Sequence, residues 1–200
     1  MEADFSKFNE APNPTQWFEN IDKQLEELDI GLFINNAAWS KEGSVRKLKP
    51  EHLRTIIDIN TTPYAMLLRG VIPRMMQRSS RAGIINVASL AAHIPILGLA
   101  AYTGSKKFNE NLSLSLAAEF EHKLDIMCLK PLFFATKLNG LKPAAGRVLT
   151  AEQVATSSLS KLGHDYSTYG HWIHSLQGSV GEMVLSFVPL SLLNYSSDKH

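Results

Sequence analysis

Residues 30–38 read Ile-Gly-Leu-Phe-Ile-Asn-Asn-Ala-Ala, a compact apolar run that ends in two asparagines and two alanines. A short continuous apolar run with such a boundary is typical of a strand that is buried on both faces of a sheet. Upstream of it, apolar residues recur at helical spacing between Trp17 and Leu28. We therefore predict a helix that leads into a buried strand at residues 30–34.

The same alternation of helix and strand continues along the chain. One predicted helical stretch follows Pro50 and continues past Pro63 as Tyr64 to Met76. Further predicted helices cover Tyr102 to Leu124 and Thr150 to Leu162, and the predicted strands cover residues 84–88 and 126–129. Strands that alternate with helices predict a parallel sheet covered by helices on both faces, which is an α/β fold.

The composition agrees with one globular domain over residues 1–200. The chain has 44% hydrophobic and 20% charged residues, with a formal net charge of +1 and no cluster of basic residues, so no nucleic acid partner is expected. Its single cysteine, Cys128, lies in an apolar run and cannot form an internal disulfide, which favours a reducing compartment. We find neither a signal peptide nor a transmembrane segment in the sequence.

The last part of the chain, residues 183–200, is an apolar segment followed by a tail. The segment from Met183 to Leu193 is interrupted by Pro189 and is too short to span a bilayer. A helix over the substrate entrance, a contact with a membrane surface and packing in the core or in an oligomer are all compatible with it. We favour packing in the core or in an oligomer.

A pair of residues on one predicted helix could carry chemistry. Tyr102 and Lys106 are four residues apart, so they share a helix face, and an ammonium beside a phenol favours the ionised phenol. That lowers the tyrosine pKa and makes the hydroxyl a better proton donor and acceptor. Ser89 follows a predicted strand, at the edge of the sheet where such folds place their sites, and could polarise a substrate carbonyl.

Four motifs stand in a characteristic order, and together they resemble the short-chain dehydrogenase/reductase family over almost the whole chain. They are Asn35-Asn36-Ala37-Ala38, Asp58-Ile59-Asn60, Asn86-Val87-Ala88-Ser89 and Tyr102-Thr103-Gly104-Ser105-Lys106. The resemblance implies a doubly wound, Rossmann-type parallel sheet. It also implies that Tyr102 is the general acid, that Ser89 orients the carbonyl, and that Asn60 anchors a water in a proton relay. Lys106 would hold the nicotinamide ribose and lower the tyrosine pKa.

The resemblance implies further cofactor-binding residues. Asn36, Ala37 and Ala38 would line the adenosine side of the cofactor, with Ala38 in place of the family's glycine, and Thr136 would meet the nicotinamide carboxamide. Asp4, at the end of a strand expected at residues 3–5, would meet the adenine, although an aspartate in a surface turn fits the sequence nearly as well.

Two later segments narrow the resemblance. Residues 130–138 and 170–178 are similar to very-long-chain 3-oxoacyl-CoA reductases and related 17-beta-hydroxysteroid dehydrogenases. This implies NADPH-dependent reduction of a 3-oxoacyl-CoA, or of a steroid as the alternative, at the endoplasmic reticulum. In this family the helix with Met75 and Met76 commonly packs in a homodimer, so an interface role competes with core packing for these two residues.

The sequence lacks one element that a dinucleotide-binding sheet normally has. No glycine-rich turn joins a strand to a helix, so we expect an N-terminally truncated fold without the first strand-turn-helix unit. A non-catalytic interaction protein, or an incomplete gene product, is therefore the main rival to an enzyme. His164, His171 and His174 predict no metal site, because neither a cysteine nor a carboxylate completes a ligand set.

Overall fold

A computed structural model describes residues 4–5, 13–136, 140–144 and 148–187, and it shows a parallel α/β sheet. The six helices of the described residues are α1 (Pro14–Leu25), α2 (Pro50–Asn60), α3 (Thr62–Met76), α4 (Ala100–Phe120), α5 (Ala151–Leu159) and α6 (Trp172–Phe187). The strands are β1 (Leu32–Asn35), β2 (Ala82–Val87), β3 (Leu124–Leu129) and β4 (Ser167–Thr168). A short 3-10 helix, Leu90–Ala92, follows β2.

The four strands pair in sequence order, β1-β2-β3-β4, and every pair is parallel. The predicted alternation of strands and helices is therefore confirmed. Parallel neighbours bring the carboxyl ends of β1, β2 and β3 to one edge of the sheet, which is where binding sites of such folds lie.

Several predicted boundaries were wrong, each for a local reason. The first helix ends at Leu25 rather than Leu28, and its start is fixed by the Asn13 side chain, which accepts a hydrogen bond from the Gln16 N–H. The long helix α4 ends at Phe120, because residues 121–123 form a turn and Leu124 already begins β3. The helical stretch predicted after Pro50 is divided at Thr61 into α2 and α3, because Pro63 in the first turn of α3 has no N–H to donate to a carbonyl of α2.

One face of the sheet packs against α3 and α4 to form the larger hydrophobic core. Tyr64, Leu68 and Met75 from α3 are buried there with Ile84 of β2 and Ile126 of β3. Met76 packs against the same cluster. Both methionines are thus engaged in the core of this chain.

The opposite face of the sheet is only partly covered. Ile85 and Met127 are buried there, with Leu162 packed against them. Leu32 and Ile34, which lie beside Gly83 and Ile85 in the parallel register, are 44% and 51% exposed. Among the described residues, helices therefore cover one face of the sheet and leave the other face open at its β1 end.

The predicted strand at residues 3–5 is not found at its two described positions. Asp4 is irregular and exposed, and Phe5 lies in a 3-10 turn, with its ring edge-on to Trp17 at 5.8 Å between centroids. Neither residue belongs to the sheet.

The C-terminal segment is a helix up to Phe187, and residues 188–200 lie outside the described part of the chain. Helix α6 turns an uncharged apolar stripe to solvent, which consists of Trp172, Leu176, Val180, Met183, Val184 and Phe187. Burial in the core, part of the favoured prediction for residues 183–187, does not hold for Met183, Val184 and Phe187, because they lie on the outer side of the helix. Among the described residues no helix combines the length and the apolar character needed to cross a membrane.

Candidate active site

A cleft of about 730 Å³ lies at the carboxyl edge of the sheet, where the segments that follow β1, β2 and β3 meet the start of α4. Its volume falls in the range that holds small molecules and cofactors. The residues that line it are Asn36 to Ser40, Val87 to Ala91, Ile94, Ile96, Leu99, Tyr102, Lys106, Pro131 to Phe134 and Thr136.

Ser89 is positioned by the turn that ends β2. Its hydroxyl oxygen accepts a hydrogen bond at 3.1 Å from the Ala91 N–H and so caps the 3-10 helix Leu90–Ala92. The N–H of Leu90 donates to the Pro131 carbonyl at 3.2 Å, which ties this turn to the segment after β3. Ser89 is thus held at the floor of the cleft by two neighbouring strands.

Tyr102 and Lys106 enter the cleft from the first two turns of α4. The Lys106 ammonium is almost fully buried and donates to the Val87 carbonyl at 2.9 Å. It lies 5.8 Å from the centre of the Tyr102 ring. The i, i+4 spacing therefore places both side chains on one face of the helix.

The pKa values of these two groups differ from the sequence-based expectation. Burial raises the pKa of Tyr102, and a hydrogen bond with the Ser89 side chain only partly offsets this. Burial likewise lowers the pKa of Lys106 from 10.5 to about 8. The predicted lowering of the tyrosine pKa by Lys106 is therefore not seen, because desolvation dominates and the ammonium is directed at the Val87 carbonyl.

Asn60 lies beneath the cleft rather than on its surface. Its carboxamide accepts a hydrogen bond from the Trp39 N–H at 2.8 Å, and its NH₂ lies within 2.9 Å of both the Trp39 carbonyl and the Ser105 hydroxyl. The side chain thus ties the segment after β1 to helix α4. These contacts to Trp39 and Ser105 engage the side chain of Asn60, so a role in a water relay would fall to its backbone.

Most of the predicted cofactor-binding residues line the cleft, but one of them does not. Asn36, Ala37, Ala38 and Thr136 line the cleft together with Tyr102 and Lys106. Asp4 does not line it. In the neighbouring position the buried Asn35 side chain donates to the Tyr64 carbonyl at 3.0 Å and fixes the end of β1.

The sequence did not single out the apolar part of the cleft. Ile94, Ile96 and Leu99 come from the long connection after Ser89, and Leu132, Phe133 and Phe134 come from the segment after β3. Phe133 is 72% exposed. In the sequence these residues form two apolar stretches that follow strands. Only the folded chain shows that the two stretches face one cleft.

A family model for the short chain dehydrogenase matches residues 2–145 of the chain. The chain belongs to the short-chain dehydrogenase family. This confirms the resemblance found in the motifs. The family consists of oxidoreductases, so the cleft belongs to a protein of that class. In the described residues no group of three or more histidine, cysteine or carboxylate side chains could hold a metal ion.

Curated relatives in this family are similar over most of the chain. The very-long-chain 3-oxoacyl-CoA reductase of Caenorhabditis briggsae is 30% identical over 195 residues, which is 94% of this chain and 60% of the relative. The very-long-chain 3-oxoacyl-CoA reductase of Rattus norvegicus is 28% identical, over 84% of this chain and 55% of the relative. The hydroxysteroid dehydrogenase-like protein 1 of Gallus gallus is 27% identical, over 93% and 56%. The chain spans about 60% of the length of the first of these relatives.

Solved structures of the family share the fold. A 7beta-hydroxysteroid dehydrogenase superposes with a TM-score of 0.76 at 21% identity, over 94% of this chain and 71% of that one. A short chain dehydrogenase from Burkholderia cenocepacia in complex with NADP gives a TM-score of 0.73 at 20% identity, over 92% and 77%. The short-chain dehydrogenase sheet is therefore confirmed as the fold of this chain.

The residues present fit one end of the family's nicotinamide cofactor. The cleft places the buried Lys106 ammonium, the Tyr102 hydroxyl and the short side chains of Ala37 and Ala38 around one volume, where a ribose and a flat ring can be accommodated. For the pyrophosphate, the described residues offer no glycine-rich turn that leads from a strand into a helix N-terminus.

Proposed function

We propose that this protein is an NAD(P)-dependent carbonyl reductase whose general acid is Tyr102. The observation that carries the proposal is the meeting of Ser89, Tyr102 and Lys106 in one cleft at the carboxyl edge of the sheet. Ser89 lies 13 positions before Tyr102, and Lys106 lies 4 positions after it. The fold thus brings all three side chains to one cleft. Membership of an oxidoreductase family supports the same chemistry.

Each of the three side chains has a distinct task in this proposal. Ser89 donates its hydroxyl hydrogen to the substrate carbonyl oxygen and holds the carbonyl beside Tyr102. Tyr102 gives its proton to that oxygen as the alcohol forms, and its raised pKa keeps the hydroxyl protonated before the reaction. Lys106 stabilises the tyrosinate that remains.

The cofactor would be held by residues of the same cleft. A nicotinamide dinucleotide supplies the hydride for the carbonyl carbon. Lys106 and Tyr102 would contact its ribose, Thr136 its carboxamide, and Asn36, Ala37 and Ala38 its adenosine side. Asp4 lies outside this cleft, and its contact with the adenine stays a prediction from the resemblance. We infer NADPH rather than NADH from the resemblance alone, because structural neighbours include complexes with NADP and with NADH.

The substrate we propose is a very-long-chain 3-oxoacyl-CoA, and its product is the 3-hydroxyacyl-CoA. The apolar connection after Ser89 and the apolar segment after β3 would flank the acyl chain next to the reacting carbonyl. Relatives named very-long-chain 3-oxoacyl-CoA reductase support this choice of substrate. From the resemblance to that group we also propose a location at the endoplasmic reticulum. A steroid ketone is the alternative substrate, favoured by the hydroxysteroid dehydrogenase-like relative.

Replacement of Tyr102 by Phe tests the chemistry directly. We expect ketone-dependent oxidation of NADPH by Tyr102→Phe to fall at least about a hundredfold, because the proton donor is removed. Tyr166→Phe is the matched control, since Tyr166 is exposed and bonded to Glu121 away from the cleft. Turnover of Tyr102→Phe at the rate of the control would contradict the assignment.

Cofactor binding separates the enzyme from its non-catalytic rival. The nucleotide is titrated into the purified chain and followed by the fluorescence of the reduced nicotinamide. Dissociation constants for NADPH in the micromolar range or below support an enzyme. A chain that folds but shows no binding at millimolar NADPH favours an interaction protein. NADH titrated in parallel tests the choice between the two cofactors.

A further inference from the structure

A cluster of charged side chains lies beside the cleft and takes no part in the proposed chemistry. We call it the Glu110 cluster, and its members are His93, Lys107, Glu110, Lys130, Tyr169 and Glu182. They come from the turn after β2, from α4, from the end of β3, from the segment after β4 and from α6. Side chains from five parts of the fold therefore meet at one point.

Glu110 is the centre of the cluster. Its side chain is only 3% exposed, yet its carboxylate contacts Lys107 at 2.7 Å, Lys130 at 3.3 Å and the Nε2 atom of His93. Burial alone would raise its pKa, but the hydrogen bonds and positive charges of these partners prevail and lower the pKa to about 2. Glu110 is therefore ionised and fully engaged at neutral pH.

His93 links this carboxylate to the turn that carries Ser89. The backbone N–H of His93 donates to the Leu90 carbonyl at 2.8 Å and closes the 3-10 helix that Ser89 caps. The Nδ1 atom of His93 lies 2.9 Å from the Glu182 carboxylate of α6. The imidazole thus lies between two carboxylates and is four residues from the Ser89 hydroxyl.

Lys130 links the same carboxylate to the other wall of the cleft. Its backbone N–H donates to Thr168 at 2.8 Å, and the next residue, Pro131, begins the cleft-lining segment. Its ammonium lies 4.9 Å from the centre of the Tyr169 ring, and the Tyr169 hydroxyl in turn donates to Glu182. The cluster therefore joins both connections that line the cleft.

Glu110 and Tyr102 lie on the same helix, eight residues or about 12 Å apart. A helix of this length moves as one body, so a restraint on Glu110 also restrains the Tyr102 hydroxyl. Because Ser89 and His93 cap the two ends of one short 3-10 helix, the link between Glu110 and His93 fixes the two reactive hydroxyl groups relative to each other. Removal of one member of a buried ion pair strongly destabilises the folded state. We therefore expect the contacts of Glu110 to resist displacement of the groups that they join.

We propose that Glu110 is a positioning residue, which acts through His93 and Lys130 to hold Ser89 and Tyr102 in register. The assignment rests on the proposed carbonyl reduction, for which it names a determinant outside the cleft. Glu182 extends the restraint to α6, so the C-terminal helix acts as a support for the site.

The test compares Glu110→Gln with Glu119→Gln, a change to an exposed residue on the same helix. We expect Glu110→Gln to lose about tenfold or more in kcat, while the Kd for NADPH changes by less than about threefold. Glu119→Gln should match the unmodified protein. A folded Glu110→Gln protein whose kcat lies within twofold of the control overturns the proposal, and it leaves the function itself untouched.

A double variant tests whether His93 transmits the effect. If Glu110 and His93 act through one link, Glu110→Gln combined with His93→Gln should lower kcat no further than the worse single change. Effects that multiply would instead assign independent roles to the two residues and contradict the shared link. If Glu110→Gln does not fold, Glu182→Gln replaces it, because Glu182 is 37% exposed and we expect a loss of about threefold in kcat with an intact fold.

Hydrogen exchange gives a readout that needs no turnover. We expect Glu110→Gln to raise amide exchange at least about threefold in residues 89–93 but not in residues 54–60 of α2. Unchanged exchange at residues 89–93 contradicts the proposal whether or not the protein is active. Absence of turnover in the unmodified protein, by contrast, is a failure of the proposed function alone.

Discussion

Lys106 is a buried ammonium that has no carboxylate partner among the described residues, and its hydrogen bond goes to the Val87 carbonyl. Its pKa is lowered from 10.5 to about 8 by burial. The unfolded chain therefore binds more protons at this position than the folded chain between pH 8 and 10.5. By linkage, this group makes the folded state more stable as the pH rises through that window.

The prediction is a difference between Lys106→Met and the unmodified protein. The stability of the unmodified protein relative to Lys106→Met should rise by up to about 1.4 kcal/mol for each pH unit between pH 8 and 10. Urea unfolding of the cofactor-free chains at several pH values measures it. The comparison of two chains is needed because burial raises the pKa of Cys128 to about 12, which gives the opposite slope in both. A constant difference across this window would show that Lys106 is not desolvated.

Ser89 gives a second prediction at the scale of one residue. Removal of a hydroxyl that bonds the developing oxyanion costs about a hundredfold in kcat, so we expect this loss for Ser89→Ala. Ser115→Ala is the matched control, because the Ser115 hydroxyl is exposed and bonds only its own helix, at the Asn111 carbonyl. Single-turnover reduction of a 3-oxoacyl-CoA measures the effect; equal rates in the two variants would remove Ser89 from the mechanism.

Residue spacing predicted the shared face of Tyr102 and Lys106 correctly, because the geometry of a helix is local. The direction of the Tyr102 pKa could not be predicted in the same way, since burial depends on the whole fold and outweighs a neighbouring charge. The role of the Asn60 side chain was hidden for a similar reason, as Trp39 and Ser105 meet it from distant parts of the chain. The Glu110 cluster joins residues up to 89 positions apart, and no local pattern marks it.

At the scale of the elements, the turn between β4 and α6 depends on Gly170. Its φ of +81° is disfavoured for other residues, and an added Cβ would lie 2.5 Å from the Ser158 hydroxyl and 2.8 Å from Leu129. We expect Gly170→Ala to destabilise the chain by about 2 kcal/mol, through both strain and overpacking. Gly104→Ala should instead stabilise it by about 0.5–1 kcal/mol, because Gly104 lies in a helix with open space around its Cα. Thermal unfolding of both variants checks the signs.

Helix α5 shows how much of an element boundary a short motif can predict. The sequence predicts a helix that starts at Thr150, and Glu152 two positions later is typical of a first helical turn. The structure confirms Thr150 as the cap but pairs it with Gln153, whose side chain accepts from the Thr150 N–H at 2.9 Å. The predicted C-terminal end of this helix at Leu162 was wrong. The helix ends at Leu159, and Leu162 packs against the sheet. Helix starts carry side-chain caps in the sequence, whereas this helix end is set by packing.

At the scale of the whole molecule, the parallel sheet was predictable because each strand is a continuous apolar run. The incomplete cover of one sheet face by helices was not predictable from these strand sequences, because they do not reveal which helices pack on each face. The uncharged stripe of α6 is also a property of the folded molecule. Association of this chain with a membrane surface and formation of a homodimer remain predictions.

The open end of the sheet gives a prediction about solubility. β1 is an edge strand of the described sheet, and Leu32 and Ile34 expose apolar surface beside its unpaired edge. Such edges favour self-association, which a lysine reduces. We expect Ile34→Lys to shift this chain towards monomer in concentration-dependent light scattering. Ile57→Lys, a change at a similarly exposed helix position, should have a smaller effect. Equal effects of the two lysines would point to general charge rather than to the strand edge.

The contact between His93 and Glu182 also has a consequence for biosynthesis. Ser89 and Tyr102 belong to the part of the chain up to β3, which emerges from the ribosome first and contains the larger core. Glu182 lies in the last described helix, so its carboxylate reaches His93 only when translation of α6 is complete. At a synthesis rate of about 5–20 residues per second, several seconds separate these events. The nascent chain thus holds its reactive side chains before it holds their support, and we expect full activity to appear only after α6 has emerged.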